Sequence, residues 1–218
     1  MAAEVTAGAR GMDAATDLPA AGDRRLAGVL SFALSAAFLL VTMLAASIAP
    51  GYDFHAAAIS DLGVIAETAT LFNVLLVALG LMNIAVGYLL YRRRHRALLA
   101  VYVLAGIGAT GAGLFPLSTG GLHSLFALIA FVGFNLEVIG SAVLLSGPMR
   151  VLGVAAGVVG LAYAVLMVIG DSGNTGVFGP IGHGGSERMI AYPAMLWLLA
   201  FGGYLLAPRT RDDESAGA

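Results

Sequence analysis

Six apolar runs, each long enough to cross a lipid bilayer, constrain this chain more than any other feature. A membrane-spanning helix needs about 20 predominantly apolar residues, and 59% of the chain is hydrophobic while only 11% is charged. These values predict an all-α fold: a transmembrane bundle of six helices, with no separate soluble domain. The predicted spans are about 26–49, 68–91, 97–115, 122–146, 151–170 and 189–207.

Both ends of the chain are polar. Residues 1–25 lack apolar periodicity and are predicted to be a disordered tail, and residues 208–218 form a second, charged tail. The run from Leu26 to Ala49 is longer than the roughly 7–15 apolar residues of a signal peptide, and Pro50 would occupy the cleavage position. We therefore interpret this run as the first span.

The arginines predict the orientation. All eleven basic residues are arginine, and ten of them fall on the face that carries both termini, whereas Arg188 alone lies opposite. The positive-inside rule then predicts cytoplasmic termini in a multi-pass protein of the cell membrane. The short cluster from Arg92 to Arg96 is interpreted as an anchor at anionic lipid headgroups, and a net charge of -2 gives no reason to expect a nucleic-acid partner.

The residues suited to chemistry gather on the face opposite the termini. The chain has no cysteine, which excludes disulfides and thiolate metal sites. Three of the four histidines are expected on this face, together with several carboxylates. The set comprises Asp53, His55, Ser60, Asp61 and Glu67 in the first loop, His123 at the start of the fourth span, and Asp171, Ser172, His183, Glu187 and Arg188 in the last loop.

Two chemical interpretations and one structural interpretation of these residues stay open. Neutral imidazoles and carboxylates suit zinc, with the candidate ligands His55, Asp61, His123 and His183. The candidate catalytic groups are His55, Ser60, Asp61 and Glu187, and a Ser-His-Asp arrangement with Ser60 or Ser172 is a further possibility. In the structural alternative the same residues cap helix ends at the water interface. Arg188 is expected to pair with Asp61 or Glu187.

A few polar residues lie inside the predicted spans. Asn73, Asn83 and Asn135 are expected to join helices through hydrogen bonds, each contributing about 0.6 kcal/mol. A carboxylate in hydrocarbon is costly, so Glu137 is predicted to face the bundle, either in an internal site or as a protonated acid bonded to a neighbouring helix. Four glycines of the third span are predicted packing residues, namely Gly106, Gly108, Gly111 and Gly113.

Several short motifs occur together in a recognisable order. They are Ile59-Ser60-Asp61-Leu62-Gly63, Phe72-Asn73, Phe115-Pro116 closing the third span, His123 opening the fourth, and Gly184-x-x-Glu187-Arg188 before the last. Over about residues 26–207 the chain resembles the prokaryotic membrane family called domain of unknown function 998 (DUF998). The resemblance implies a six-span membrane protein of a bacterium or archaeon without an established activity. The first loop departs from the family at Ala56-Ala57-Ala58, where a proline is expected.

Two classes of function follow. The first is a non-enzymatic membrane protein that binds or senses a lipid or small molecule at the polar outer face. The second is a membrane-embedded hydrolase or lipid-modifying enzyme, with zinc as a possible cofactor. The two classes differ in structure, because an enzyme should bring at least three of the candidate side chains within reach of one point.

Overall fold

The computed structural model describes residues 19–208, which form six long helices and three short 3₁₀ segments and contain no strand. The helices are α1 (Ala21–Ile48), α2 (Ala69–Tyr91), α3 (Arg96–Leu114), α4 (Gly121–Ala142), α5 (Gly147–Asp171) and α6 (Gly182–Leu206). The 3₁₀ segments are η1 (Ile59–Gly63), η2 (Leu117–Thr119) and η3 (Thr175–Ile181). Within the described residues, six helices are long and apolar enough to cross a membrane. The predicted all-α, six-span fold is confirmed.

The helices form a closed ring. Each helix packs beside the next one along the chain, α6 returns to pack on α1, and α4 also contacts α6 across the bundle. Short connections make successive helices antiparallel neighbours, so the ring follows the chain order. Large apolar side chains such as Leu40 and Val151 are exposed around the outside, as expected of surfaces that face lipid.

The two ends of the bundle differ in chemistry. At one end Arg24 donates hydrogen bonds to the carbonyls of Tyr204 and Ala207, and Arg92 pairs with Asp23 at 2.8 Å. These contacts bring the beginning of α1 and the ends of α2 and α6 together, and we call this the arginine end. The opposite end, where the three 3₁₀ segments and the histidines at 55, 123 and 183 lie, is called the histidine end.

Helices α1 and α6 extend furthest beyond their predicted bounds. Helix α1 begins at Ala21, so residues 21–25 of the predicted tail are helical, while residues 1–18 lie outside the described part. Helix α6 begins at Gly182, seven residues before the predicted sixth span. Its first turns, Gly-His-Gly-Gly-Ser-Glu-Arg, carry no apolar signal. They are helical because Ser186 and Arg188 bond back to the carbonyls of Gly182 and Gly184, and because the first loop packs on them.

Glycines allow close approach of neighbouring helices, as predicted for α3. A Cβ at Gly106 would lie 2.5 Å from the carbonyl oxygen of Gly80 on α2, and one at Gly113 would lie 2.6 Å from the carbonyl oxygen of Asn73. On the other side of α3, Gly108 and Gly111 leave room for α4 in the same way. Helix backbones in lipid approach most closely at such small residues, and van der Waals contact replaces the hydrophobic effect that drives packing in water.

A buried polar network lies in the half of the bundle nearer the arginine end. Glu137 of α4 is fully buried, and the side-chain amide of Asn83 on α2 donates to it at 2.8 Å and to the backbone carbonyl of Tyr102 on α3 at 3.1 Å. Beside this pair, the hydroxyls of Tyr91 and Tyr102 each lie 2.9 Å from that of Ser141. Glu137 therefore faces the bundle and is bonded to a neighbouring helix, so that three helices share one polar cluster.

Candidate functional site

The loop between α1 and α2 folds into the histidine end of the ring instead of extending away from it. Leu62 and Ile59 of η1 are almost fully buried. From α2, Asn73 donates to the carbonyl of Gly63 at 2.9 Å, and the hydroxyl of Thr68 donates to the carbonyl of Leu62 at 2.7 Å. Polar groups that are buried in the low-dielectric interior at this end of the bundle need such partners. The predicted intramembrane residue Asn73 thus fixes the loop to α2.

Asp61 stabilises the turn that begins η1. Its Oδ2 atom accepts a hydrogen bond from the backbone N–H of Ala58 at 2.8 Å, three residues earlier. This is the same arrangement by which short polar side chains satisfy unpaired N–H groups next to helical turns. One of the two carboxylate oxygens of Asp61 is therefore engaged locally.

The first turns of α6 clamp the same loop from the other side. Glu187 accepts a hydrogen bond from the backbone N–H of Ile59, and the backbone N–H of Gly184 donates to the carbonyl of His55 at 2.9 Å. Gly182 has a φ of +68°, and at both Gly182 and Gly184 a Cβ would overlap the backbone of the loop. Only glycine allows the loop and the helix to approach this closely.

Arg188 adds further hydrogen bonds between α6 and the loop. Its Nη1 atom donates to the carbonyls of Phe54, Ala57 and Gly184 at 3.1, 3.2 and 2.7 Å, and its Nη2 atom donates to the Tyr52 hydroxyl at 2.6 Å. The guanidinium also lies 4.7 Å from the ring centroid of Phe54. A planar group with five N–H donors in a fixed fork suits several carbonyls and a hydroxyl at once. We call this assembly of Arg188, the Tyr52 hydroxyl and the carbonyls of residues 54, 57 and 184 the arginine clamp.

The expected ion pair between Arg188 and Asp61 or Glu187 is not formed. Arg188 is bonded to carbonyls and a hydroxyl, Asp61 to the Ala58 N–H, and Glu187 to the Ile59 N–H. The turn at residues 54–57 presents its carbonyls toward α6, and these offer a buried guanidinium the acceptors that it needs. The prediction was wrong because it considered side-chain charges alone.

Tyr52 is a member of the clamp that the sequence interpretation did not single out. Its hydroxyl accepts from Arg188 and donates to the carbonyl of Ala58 at 2.8 Å. Burial raises the pKa of Tyr52 to about 12, although the neighbouring Arg188 guanidinium opposes that shift. The phenol is therefore neutral at ordinary pH and can both donate and accept. An aromatic residue with a polar tip at the start of a loop is the only sequence signal for this role.

A cavity of about 610 Å³ lies beside the clamp at the histidine end. It is bounded by residues 56–61 of the loop, by η2 and by the ends of α4, α5 and α6. We call it the main cavity. Leu128 of α4 and Val168 of α5 line it and are 42% and 54% exposed.

The chain connectivity explains where the main cavity lies. Helices α4 and α5 are joined by a short connection at the arginine end. Near that connection Gly153, Gly157 and Gly160 of α5 lie directly against α4; a Cβ at Gly157 would be 2.7 Å from the carbonyl oxygen of Asn135. No connection holds the two helices together at the histidine end, and beyond Gly160 the larger side chains of Met167 and Val168 line the gap.

Polar side chains occupy one part of the wall of the main cavity. They are Ser60, Asp61, His123, Ser124, Asp171, His183 and Glu187, whereas the remaining lining is alanine and larger apolar residues. His183 lies 3.1 Å from Asp171 through its Nε2 atom. Arg188 does not line the cavity, because the clamp holds its guanidinium against the loop. The polar part of the wall is thus rich in carboxylates and contains no arginine among the described residues.

His123 lies in the wall between the main cavity and a second, smaller one. The second cavity, of about 70 Å³, is almost entirely apolar and reaches inward toward Phe134 and Met195; we call it the inner cavity. His123 is 4% exposed, its Nδ1 atom lies 2.8 Å from the carbonyl oxygen of Phe115, and its Nε2 atom has no partner. Because a carbonyl only accepts, Nδ1 carries a proton, and in the neutral imidazole Nε2 is then an acceptor.

The structure therefore brings most of the predicted site residues to one cavity, although not to one point. Ser60, Asp61, His123, His183 and Glu187 line the main cavity, whereas the side chain of His55 is exposed and lies outside it. Across residues 19–208, no three His, Asp or Glu side chains are grouped closely enough to hold a metal ion. Zinc binding by His55, Asp61, His123 and His183 stays a prediction to which this arrangement adds no support.

The other singled-out polar residues have structural partners. Asn135 donates to the carbonyls of Ile190 on α6 and Phe131 on its own helix, so it joins α4 to α6 next to the inner cavity. The hydroxyl of Ser172 donates to the carbonyl of Ile169 and does not line either cavity. Asp171, which lay outside the predicted catalytic and metal sets, proves to be a cavity residue.

Fold and site together define a class: a six-span helical membrane protein whose first loop is folded into one end of the bundle, beside a cavity. The chain matches the family described as protein of unknown function DUF998 over residues 18–204. It therefore belongs to that family, as its motifs predicted. No curated protein and no solved structure matches the chain.

Proposed function

We propose that this protein binds an amphiphilic molecule, a membrane lipid or a lipid-like compound, in the main cavity. The observation that carries the proposal is a cavity of about 610 Å³ that is polar at the histidine end and apolar elsewhere, where exposed side chains of α4 and α5 line it. Binding sites for small molecules have volumes of about 300–1,000 Å³ and are mostly apolar, with a few polar groups that set the orientation.

The polarity of the cavity wall predicts a ligand with a polar head and an apolar tail. A polar head fits beside Asp61, Asp171 and His183, and an apolar tail fits against Phe131 and Met167. A molecule that enters sideways between α4 and α5 keeps its tail in an apolar environment throughout, so neither part has to cross a barrier of the wrong polarity. The buried contacts of the arginine clamp hold the loop side of this wall in place.

The proposal is tested by filling the cavity. Ala164 lines the main cavity and is 5% exposed, while Ala162 on the same helix is exposed and does not line it. We expect protein purified in mild detergent to retain an amphiphile in native mass spectrometry, Ala164→Phe to retain much less, and Ala162→Phe to match the unchanged protein. Ala127→Phe, on the α4 side of the cavity, provides a second obstruction should Ala164→Phe fold poorly.

Two results contradict the proposal. One is an unchanged protein that retains no amphiphile and takes up none from added lipid. The other is equal retention in folded Ala164→Phe, Ala127→Phe and Ala162→Phe proteins, which would show that bound lipid lies on the outer surface of the ring.

The second candidate is a hydrolase that acts on such an amphiphile. It is favoured by one observation: Ser60, His183 and Asp171 line the same cavity, and His183 is bonded to Asp171 as a general base is bonded to the group that orients it. Covalent labelling by a hydrophobic fluorophosphonate, lost in Ser60→Ala and retained in Ser172→Ala, is expected of this enzyme. Absence of labelling in folded protein argues for binding without hydrolysis.

A further inference from the structure

We infer that the head group recognised in the main cavity is a primary amine, carried on an apolar tail. This inference rests on the proposed function and narrows it to one chemical class. Three carboxylates line the polar part of the cavity wall, those of Asp61, Asp171 and Glu187. A cation is the ligand that carboxylates at a partly desolvated surface favour most.

Arg188, which follows Glu187 in the sequence, does not neutralise these carboxylates by direct contact. Arg188 directs both Nη atoms to the carbonyls and the hydroxyl of the clamp, and it is absent from the cavity lining. Asp171 is bonded to His183, and Asp61 and Glu187 each accept from a backbone N–H group. Among the bonded partners of these acidic groups within the described residues, His183 is the one ionisable side chain.

His123 is the second, independent observation. It is 4% exposed, and its ring is held by the hydrogen bond from Nδ1 to the Phe115 carbonyl. Its Nε2 atom is a buried acceptor without a partner in the wall that both cavities share. A buried acceptor that is left unpaired is unfavourable, so a ligand that supplies an N–H donor there is favoured.

The spacing of the acidic groups selects an organic cation over a metal ion. No three His, Asp or Glu side chains within residues 19–208 converge as metal ligands. An ammonium group with three N–H donors can instead bond to acceptors that are spread over a wall. An anionic head group such as a phosphate would face carboxylates, and it would find few donors besides Ser60 and Ser124.

The test compares probes that share one tail. Dodecylamine, dodecyltrimethylammonium, dodecanol and dodecyl phosphate are added at equal mole fractions to the full-length protein in non-ionic detergent, and the bound fraction is measured by native mass spectrometry. We expect dodecylamine to bind about tenfold more tightly than the others, since hydrogen bonds to charged groups are worth more than neutral ones. The trimethylammonium probe carries the positive charge but has no N–H donors. It therefore separates the contribution of charge from that of hydrogen bonding.

Matched variants locate the effect. Asp61→Asn and Asp171→Asn remove cavity charges while retaining an acceptor oxygen, and we expect each to abolish most of the preference for dodecylamine over dodecanol. Asp53 lies in the same loop, accepts from the backbone of His55 and does not line the cavity. Asp53→Asn is therefore expected to leave the preference unchanged, which controls for the general charge of this face.

Each alternative outcome has a distinct meaning. Equal binding of all four probes, reduced by Ala164→Phe, would overturn the amine inference and leave the proposed function standing. A preference for dodecyl phosphate would also overturn it. Binding of none of the probes would remove support from both. Competition by ethanolamine as strong as that by dodecylamine would identify a soluble amine and overturn the requirement for a tail.

Discussion

At the scale of single residues, three buried ionisable side chains find hydrogen-bond partners in two ways. Arg188 and Glu187 use the backbone of a loop that folds into the bundle, whereas Glu137 uses the side chain of another helix. Both solutions answer the same requirement, because water is absent from the hydrocarbon and an unpaired polar group there costs several kcal/mol. The consequences of substitution differ, since one network holds a loop and the other holds helices.

Glu137→Gln is expected to be tolerated and Glu137→Leu is not. Gln keeps an acceptor for the Asn83 amide, whereas Leu removes it and leaves that buried donor with the Tyr102 carbonyl alone. We expect Leu to cost about 1–3 kcal/mol more than Gln in the free energy of unfolding. Thermal unfolding in detergent measures the difference. Equal stability of the two variants would show that the Asn83–Glu137 bond contributes nothing.

Gly184→Ala is expected to loosen the arginine clamp. A Cβ at Gly184 would overlap the carbonyls of Ala57 and Phe54, which are backbone atoms and cannot rotate away. An introduced cysteine at Ile59, which is 3% exposed, should then react faster with a thiol reagent. Gly203→Ala on the same helix meets nothing within 4 Å and serves as the control. An unchanged labelling rate in Gly184→Ala would mean that the clamp does not hold the loop.

At the scale of elements, glycine decides which helices touch and which separate. Gly80 and Gly106 bring α2 and α3 into backbone contact, and Gly153, Gly157 and Gly160 let α4 pack closely on α5 near the arginine end. Where the glycines of α5 give way to Ala164, Met167 and Val168, the main cavity begins. In a bilayer, helix association depends on close packing, so the distribution of small residues sets both the contacts and the gap.

The contact between α2 and α3 can be measured with a double-mutant cycle. Gly80→Ala and Gly106→Ala each place a methyl group against the backbone of the other helix, and each is expected to cost about 1–3 kcal/mol. Once one substitution has separated the two helices, the other substitution costs less stability, so the two free-energy changes should not add. Gly80→Ala combined with Gly203→Ala should add. Additivity in both cycles would show that the two glycines do not share one contact.

At the scale of the whole molecule, the two ends of the ring have separate roles. The arginine end carries the charged anchors, including the pair between Arg92 and Asp23, and the histidine end carries the folded loop and the main cavity. If the arginine end faces the cytoplasm, the proposed amphiphile enters from the opposite leaflet. The orientation therefore decides from which leaflet a ligand is taken.

The charge bias predicts that orientation, and accessibility measures it. Tags at residues 1 and 218 should be protected in intact cells, since the sequence pattern assigns ten of the eleven arginines to their side, and arginines resist translocation. A cysteine at Ser118, on the connection between α3 and α4, should react with an impermeant thiol reagent. Reactive terminal tags together with an unreactive Ser118 site would invert the orientation.

The sequence by itself determined the number of spans, their approximate bounds and the small-residue packing of α3. These properties follow from local composition, because each span must be apolar over the bilayer thickness and each close contact requires a small residue. The motifs around Ser60, His123 and Glu187 also indicated the family, which the match over residues 18–204 shows.

Only the tertiary structure decided what the polar residues contact. Arg188 bonds to carbonyls of residues 54 and 57 rather than to a carboxylate, His55 lies outside the cavity that His123 and His183 line, and α6 begins within a segment that has no apolar signal. Backbone carbonyls are present at every residue and leave no trace in a sequence pattern. A cavity between α4 and α5 likewise arises from where two helices stop touching, which depends on all their neighbours and not on any one segment.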